Sequence, residues 1–84
     1  MIPVNPQKYN LPKRIKLRKD SEGLLIIIDR KSRVIMKDAR GILKTVSQIK
    51  ALEPKTNVRV LSKAPVCGKT KIFLSENNIT ITLI

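Results

Sequence analysis

The sequence predicts a mixed α/β fold with the element order β-β-β-α-β-α-β, preceded by an extended basic N-terminal arm. Short runs of branched apolar residues recur along the chain at lengths typical of strands. One longer stretch in the middle has apolar residues at helical spacing. We therefore expect an antiparallel meander continued by parallel strands in one mixed sheet, with helices packed on it. At 84 residues the chain is long enough for a single domain only.

Residues 1–13 form the expected arm, and residues 14–84 form the single expected α/β domain. The arm contains Pro3, Pro6 and Pro12 and few apolar residues. Because such a segment buries little apolar surface, we expect it to stay extended and to become ordered only on RNA or on a neighbouring protein.

The first two strands are predicted at residues 14–19 and 24–29. Residues 14–19 alternate basic and apolar side chains, which indicates one buried face and one positively charged face. Gly23 ends the polar turn between the two strands and is able to adopt a positive φ. Since residues 24–29 are mostly apolar, this strand is expected at the centre of the sheet, with residues 14–19 nearer an edge.

The next segment is ambiguous between strand and helix. Residues 33–37 are predicted as a third strand that closes the meander, and a helix that begins at Arg33 is the alternative. Apolar residues then recur every three or four positions, which predicts a helix over residues 39–53. Asp38 is a suitable cap for its start, and Pro54 follows its end.

The remaining residues complete the predicted sheet. A strand is expected at residues 57–62, a helix within residues 65–77 and a final strand at residues 79–84. A right-handed connection makes these two strands parallel to each other. The complete order corresponds to a ribonuclease H-like topology.

The charge composition points to a polyanionic partner. The chain has 18 Lys and Arg against 6 Asp and Glu, a formal net charge of +12. Binding to a nucleic acid relieves the resulting self-repulsion and releases condensed counterions, so nucleic acid is the favoured partner. An anionic membrane surface is the competing interpretation and requires a basic amphipathic helix. A surface charge that serves only solubility is the third interpretation.

Several kinds of chemistry are disfavoured by the composition. The chain has no histidine, one cysteine and six scattered carboxylates. This leaves no ordinary zinc site, no intrachain disulfide and no proton shuttle near neutral pH. We therefore expect neither an enzyme nor a cofactor, metal or small-molecule substrate. The longest apolar run, residues 24–28, is far shorter than a membrane span, so no membrane partner is expected.

Three local patterns fail as catalytic motifs. Gly68-Lys69-Thr70 resembles the end of a phosphate-binding loop, but the first glycine of that motif would fall at Lys63. The free N–H groups near this predicted helix start are still expected to hold an RNA phosphate. Asp29-Arg30-Lys31 lacks the further acids of a nuclease, and Cys67 lacks a histidine or a second cysteine.

Residues 34–42 resemble a stretch of sulfate-transporter and anti-sigma-antagonist domains. The sequence Val34-Ile35-Met36-Lys37-Asp38-Ala39-Arg40-Gly41-Ile42 is similar to their hydrophobic-x-x-x-Asp-x-x-Gly-Ile pattern. Phosphorylatable members have a serine where this chain has Arg40. The resemblance implies a non-catalytic regulatory domain that binds a protein partner, and this is the alternative function.

A longer resemblance extends from about residue 14 to residue 84. Residues 57–69, followed by a short helix and Ile79-Thr80-Ile81, resemble the small-subunit ribosomal protein S-eleven family. That family has a strand, then Lys-Gly-Pro-Gly-x-Gly-Arg, then a helix and an Ile-x-Ile strand. The matching residues are Lys63, Pro65 and Gly68, with Lys69 in place of the arginine and Ala64 and Val66 in place of two glycines. Residues 24–35 are similar to the family's second strand, turn and third strand.

The resemblance implies a structural constituent of the ribosomal small subunit that binds ribosomal RNA on the platform and touches neighbouring ribosomal proteins. The expected RNA-binding residues lie in the loop before the second helix, in the turn after the second strand and in the arm: Lys63, Pro65, Gly68, Lys69 and Lys71; Arg30, Lys31 and Arg33; Arg14, Lys13 and Lys8. With Tyr9 and Phe73 as the only aromatic residues, these contacts should position RNA and read little sequence. Twelve Ile and twelve Lys fit AT-rich coding, so a mitochondrial ribosome is expected, with a cytoplasmic ribosome as second choice.

Overall fold

A computed structural model describes residues 2–84 of the chain. It contains five strands, β1 (Ile2–Val4), β2 (Lys16–Asp20), β3 (Gly23–Ile28), β4 (Val58–Ser62) and β5 (Ile81–Leu83). Two α-helices, α1 (Met36–Leu52) and α2 (Gly68–Glu76), connect β3 to β4 and β4 to β5. A short 3-10 helix, Pro6–Tyr9, follows β1.

The five strands form one mixed sheet, as predicted. Their spatial order is the chain order, β1-β2-β3-β4-β5. β1, β2 and β3 are antiparallel neighbours, whereas β3, β4 and β5 are parallel. The predicted central position of the apolar strand is confirmed, because β3 lies in the middle of the sheet. In a ribonuclease H-like sheet the fourth strand pairs with the first strand of the meander, whereas here β4 pairs with β3, the last strand of the meander. The mixed sheet is therefore as predicted, and its spatial strand order differs from the ribonuclease H-like one.

The predicted third strand at residues 33–37 is wrong. Only Val34 bridges to another segment, in a parallel pair with Val66, and the chain enters α1 at Met36. The helix begins early because the Asp38 carboxylate accepts a hydrogen bond from the Ile35 backbone N–H at 2.9 Å. This contact satisfies a backbone donor that the first helical turn leaves free. The alternative, a helix that begins at Arg33, is therefore closer to the structure, although α1 begins three residues later, at Met36.

The third antiparallel strand comes from the arm instead. β1 pairs along β2 with Pro3 opposite Arg18, and Tyr9 and Leu11 are almost completely buried. The Gln48 amide donates hydrogen bonds to the backbone oxygens of Tyr9 and the following residue at 2.9 and 2.7 Å. The expectation that this segment needs a partner to become ordered is therefore wrong for residues 2–11.

The two helices cover the same face of the sheet, since they contact each other and their buried residues share one apolar cluster with the strands. The buried side of α1 comprises the residues predicted from helical spacing, among them Ile42, Val46 and Ile49. These side chains pack on the row Leu17, Ile26 and Val60, which are cross-strand neighbours. None of the helices in residues 2–84 lies on the opposite face. There, Leu25 lies between its cross-strand neighbours Arg18 and Arg59, outside the main apolar cluster.

Candidate nucleic-acid interface

The sheet topology brings several separate basic segments to one edge of the molecule. β3 and β4 run parallel and end at Ile28 and Ser62, which are register partners. β2 runs the opposite way and begins at Lys16, beside the end of β3. The segments that follow β3 and β4 and precede β2 therefore share the edge where the parallel strands end, as in other open α/β sheets.

We call this surface the basic edge. Ten charged residues define it, eight of them basic and two acidic: Arg14, Lys16, Arg30, Lys31, Arg33, Lys37, Lys63 and Lys69, with Asp29 and Asp38. The eight basic residues come from three separate segments of the sequence, residues 14–16, 30–37 and 63–69. Because like charges at this density repel each other, the surface favours a bound polyanion.

The two loops of the basic edge are tied together by backbone hydrogen bonds. The Val34 N–H donates to the Pro65 oxygen at 2.8 Å, and the Cys67 N–H donates to the Val34 oxygen at 3.0 Å. These bonds form the single parallel bridge between residues 34 and 66. The predicted turn of residues 30–33 and the predicted loop of residues 63–69 therefore lie side by side.

Asp29 neutralises little of the local charge. Its carboxylate lies 3.5 Å from the Lys16 Nζ and 3.7 Å from the Lys63 Nζ. The two lysine side chains keep exposed fractions of 60% and 58%. Exposed pairs at these distances contribute little free energy and are screened by salt, so both lysines stay available to an external anion.

Arg30 has a structural contact in addition to its charge. Its guanidinium donates to the backbone oxygens of Ser32 and Arg33, both at 3.1 Å, and to the Asp38 carboxylate. The hydrogen bond from Arg30 lowers the pKa of Asp38, desolvation opposes that shift, and the Ile35 N–H adds to it. Arg30 therefore fixes the turn against the start of α1, while the neighbouring Lys31 and Arg33 are exposed and form no ion pair within residues 2–84.

The start of α2 provides backbone donors beside Lys69. The backbone N–H groups of Lys69 and Thr70 lower the pKa of Cys67, while desolvation opposes the shift. Free N–H groups in the first turn of a helix favour a nearby negative charge. Gly68 is exposed, and nothing lies within 4 Å of the position that its Cβ would take. An anion can therefore approach the backbone here without a steric barrier.

A cleft of about 440 Å³ opens on the basic edge between the first half of α1 and the β2–β3 hairpin. Its apolar lining includes Ile15, Ile26, Ile28 and Ile42. Its charged lining consists of the basic residues Arg14, Lys16, Arg30 and Lys37 and the acidic residues Asp29 and Asp38. The cleft thus combines an apolar interior with a mainly positive rim.

The opposite edge of the sheet has a more balanced charge. Asp20, Glu22 and Glu53 all lie there, beside Lys8, Lys19 and Lys55. Both Asp20 carboxylate oxygens accept hydrogen bonds from the Arg59 guanidinium at 2.7 Å, and this contact lowers the pKa of Asp20. Glu22 pairs with the same guanidinium at 3.0 Å. Most of the acidic residues therefore lie away from the basic edge.

Three of the predicted RNA-binding residues lie outside the basic edge. Lys8 is at the opposite edge, 3.8 Å from Glu53 and 5.6 Å from the centre of the Tyr9 ring. Lys71 faces the groove between α2 and β5. Lys13 lies in the turn that leads to Arg14, at the margin of the basic edge. The other predicted residues, Lys63, Pro65, Gly68, Lys69, Arg30, Lys31, Arg33 and Arg14, are brought together.

Two members of the basic edge were missed from the sequence. The alternation of residues 14–19 predicts Lys16 on the outward face of a strand, and only the pairing of β2 with β3 puts it beside Asp29. The predicted strand of residues 33–37 ends at Lys37, whereas Lys37 lies in the first turn of α1. A signal for Lys37 was present in the sequence, because Asp38 is a helix-capping residue and Lys37 directly precedes it.

Within residues 2–84 no helix has the length and hydrophobicity that crossing a membrane requires. The same residues include no group of three or more cysteine, aspartate or glutamate side chains placed to hold a metal ion. Comparison with protein-family models, with curated proteins and with solved structures found no match.

Proposed function

We propose that this protein binds structured RNA through the basic edge, as a non-enzymatic structural constituent of the ribosomal small subunit. The observation on which the proposal depends is the separation of charge across the sheet. Eight basic side chains and two acidic ones share one edge, whereas Asp20, Glu22 and Glu53 lie at the other. A phosphate backbone placed along the basic edge would release condensed counterions and relieve the repulsion among these side chains.

The contacts should position RNA without reading its bases. Lysine and arginine side chains and helix-start N–H groups bind phosphate oxygens, which are the same in every sequence. Tyr9 is buried at the opposite edge and Phe73 packs against the apolar core, so neither is placed to stack on a base at the basic edge. The affinity should therefore depend strongly on salt and weakly on sequence.

The ribosomal part of the proposal rests on the resemblance and on where its residues lie. The two segments with family-like sequence, residues 29–33 and 63–69, are adjacent on the basic edge. The spatial strand order differs from the ribonuclease H-like arrangement, so the strand order does not support the resemblance. The proposal depends instead on the sequence of the two loops and on the charge of the basic edge. We accordingly propose ribosomal RNA and neighbouring small-subunit proteins as partners, in a mitochondrial ribosome first and a cytoplasmic one second.

RNA affinity measured over a range of salt concentrations tests the proposed interface. The double variant Lys63→Ala, Lys69→Ala removes two charges from the basic edge. It should weaken binding of a structured RNA about tenfold and reduce the slope of log affinity against log salt by about 1.5. The matched control is Lys50→Ala, Lys55→Ala, which removes the same charge from the other end of the molecule.

Equal losses for the two double variants would mean that net charge alone drives binding, and the interface would be refuted.

The proposed place in the ribosomal small subunit is tested separately, by sedimentation of a native lysate. Co-migration with small ribosomal subunits through a moderate salt wash supports the ribosomal assignment. Confinement to the light fractions at low and high salt contradicts it, even if the purified protein binds RNA.

The regulatory protein-interaction domain is the second candidate. The observation that favours it is the surface at the start of α1, where Ile35 is 47% exposed and Arg40 and Gly41 are also exposed. An exposed apolar side chain beside an uncrowded glycine suits contact with another protein. This function predicts a protein partner whose affinity falls with Ile35→Ala and Arg40→Ala and is unchanged by Lys63→Ala, Lys69→Ala.

A further inference from the structure

The cleft on the basic edge has no role in a purely phosphate-binding surface. Its floor is made of isoleucine side chains, and Ile15 and Ile28 remain only partly buried. Phosphate groups gain nothing from an apolar floor, because they are strongly hydrated and bind to charges and N–H groups. The cleft therefore suits a ligand that has an apolar face as well as a negative charge.

The geometry points to one occupant, an unstacked nucleotide of the bound RNA. The volume of about 440 Å³ lies in the range of small-ligand pockets. Three basic residues on its rim, Arg14, Lys16 and Lys37, are placed to hold the phosphates on either side of the nucleotide. The base would lie on the isoleucine side chains of the cleft. This inference rests on the proposed RNA binding and assigns a specific place to one base.

The rim also offers groups that can recognise the edge of a base. Asp29 and Asp38 are the two carboxylates of the lining, and carboxylates accept hydrogen bonds from the amino groups of bases. Asp38 uses one oxygen, Oδ2, for Ile35 and Arg30. Its other oxygen forms no side-chain hydrogen bond among residues 2–84 and is left for an incoming donor. Bases with an exocyclic amino group should therefore be preferred at this position.

Gly41 offers a way to fill the cleft without unfolding the protein. It lines the cleft from α1, and nothing lies within 4 Å of the position that its Cβ would take. The variant Gly41→Met should extend a flexible apolar side chain into the cleft while replacing glycine with a better helix former. Gly41→Ala is the matched control, because it also replaces glycine with a better helix former and leaves most of the cleft open.

The experiment uses an RNA hairpin with 2-aminopurine at successive single-stranded loop positions and a fully paired RNA of the same length. Wild-type protein and Gly41→Ala should raise the fluorescence at one loop position, because a base that enters the cleft leaves its stack. Gly41→Met should abolish that rise and weaken hairpin binding about tenfold, with the paired RNA bound as before. Lys37→Ala should weaken hairpin binding more than Lys44→Ala, since Lys44 lies on the same helix outside the cleft.

The inference is overturned if Gly41→Met binds both RNAs as the wild-type protein does and no loop position changes fluorescence. That result leaves the basic edge intact as a phosphate-binding surface. If neither RNA binds even to the wild-type protein, the proposed function fails as well. A circular-dichroism melt of Gly41→Met checks that the variant is folded, so that weaker binding can be assigned to the cleft.

Discussion

Tyr9 joins the first residues of the chain to the end of α1. Its ring is 2% exposed, and its hydroxyl donates to the Glu53 Oε1 at 2.8 Å. Burial raises the pKa of Tyr9 to about 12, and the hydrogen bond to the Glu53 carboxylate and its negative charge act in the same direction. The same hydrogen bond lowers the pKa of Glu53. The neutral phenol is therefore the form that the fold requires.

Replacement of Tyr9 by Phe should remove this hydrogen bond and keep the ring packing. The expected loss is about 1 kcal/mol of unfolding free energy, the usual net contribution of one hydrogen bond. Because the pKa in the folded state lies above the unfolded value near 10, the contribution of Tyr9 is fully present below pH 10 and disappears as the pH rises towards 12. Urea unfolding at pH 8 and pH 11 should show a steeper alkaline loss for the wild type than for Tyr9→Phe. Equal alkaline losses would contradict the assigned role.

Asp38 stabilises the start of α1 through its charge. It accepts from the Ile35 N–H, pairs with Arg30 and lies in the first turn, where the helix dipole favours an anion. Asp38→Asn should cost about 1 kcal/mol at neutral pH. The pKa of Asp38 is lowered in the folded state, so this stabilisation is present above the ordinary aspartate pKa of about 4 and is lost as the pH falls below it.

Denaturant titrations between pH 7 and pH 3 provide the measurement for Asp38→Asn. The variant should approach the wild-type stability as the pH falls. Asp29→Asn is the control, because Asp29 contacts only exposed lysines at 3.5 and 3.7 Å and should change the stability by less than about 0.5 kcal/mol. A larger effect of Asp29→Asn than of Asp38→Asn would refute the capping role.

At the level of elements, the hairpin between β2 and β3 depends on Gly23. Its φ is +134°, and a Cβ at this position would lie 2.3 Å from the Asn57 backbone oxygen. That oxygen accepts the Leu24 N–H at 2.9 Å, so the turn also fixes the start of β4. The close approach leaves no room for a side chain.

Gly23→Ala should therefore cost more than about 2 kcal/mol, through backbone strain and displacement of the strand that follows α1. Gly41→Ala is the matched glycine control. It lies in a helix with open space around it and should stabilise the protein by about 0.5 to 1 kcal/mol. Thermal melts of both variants give the comparison, and similar melting temperatures for the two would contradict this account of Gly23.

The elements that the sequence predicts correctly are those in which the apolar residues of the pattern are the residues that become buried. The spacing of Ile42, Val46 and Ile49 corresponds to the buried side of α1, and the run of residues 24–28 corresponds to the central strand. Residues 33–37 are predicted as a strand because of the short apolar run Val34-Ile35-Met36, although the helix-capping residue Asp38 directly follows. The competition between these two signals is decided by tertiary contacts, since Val34 is fully buried against the loop of residue 66.

The arm shows why proline content alone is a poor guide to order. Pro3 lies in the edge strand β1, where a missing N–H need not break a sheet hydrogen bond, and Pro6 begins the 3-10 helix. Only two large side chains, Tyr9 and Leu11, become almost completely buried. Their burial depends on contacts with α1 and with the sheet. The sequence of residues 1–13 alone carries no information about those contacts.

For the whole molecule, the chain order of the strands determines where charge accumulates. Loops separated by more than thirty positions, at Arg30 and Lys63, meet because β3 and β4 are parallel neighbours. The sequence predicted the two loops and their charge. It could not predict that Lys16 joins them, that Lys8 and Lys71 lie elsewhere, or that a cleft opens beside α1, because these depend on strand register and on the position of the helix.

Cross-linking of the protein to a structured RNA, followed by mass spectrometry of the peptides that carry nucleotide adducts, tests the central claim most directly. The basic edge should account for the adducts, in residues 14–16, 29–37 and 63–69, and the adducts should decrease with rising salt as counterions compete for the phosphates. Lys50 and Lys55 serve as internal controls at the opposite end of α1 and should carry few adducts. Adducts concentrated on Lys8, Lys50 and Lys55, with the basic edge unmodified, would contradict the account.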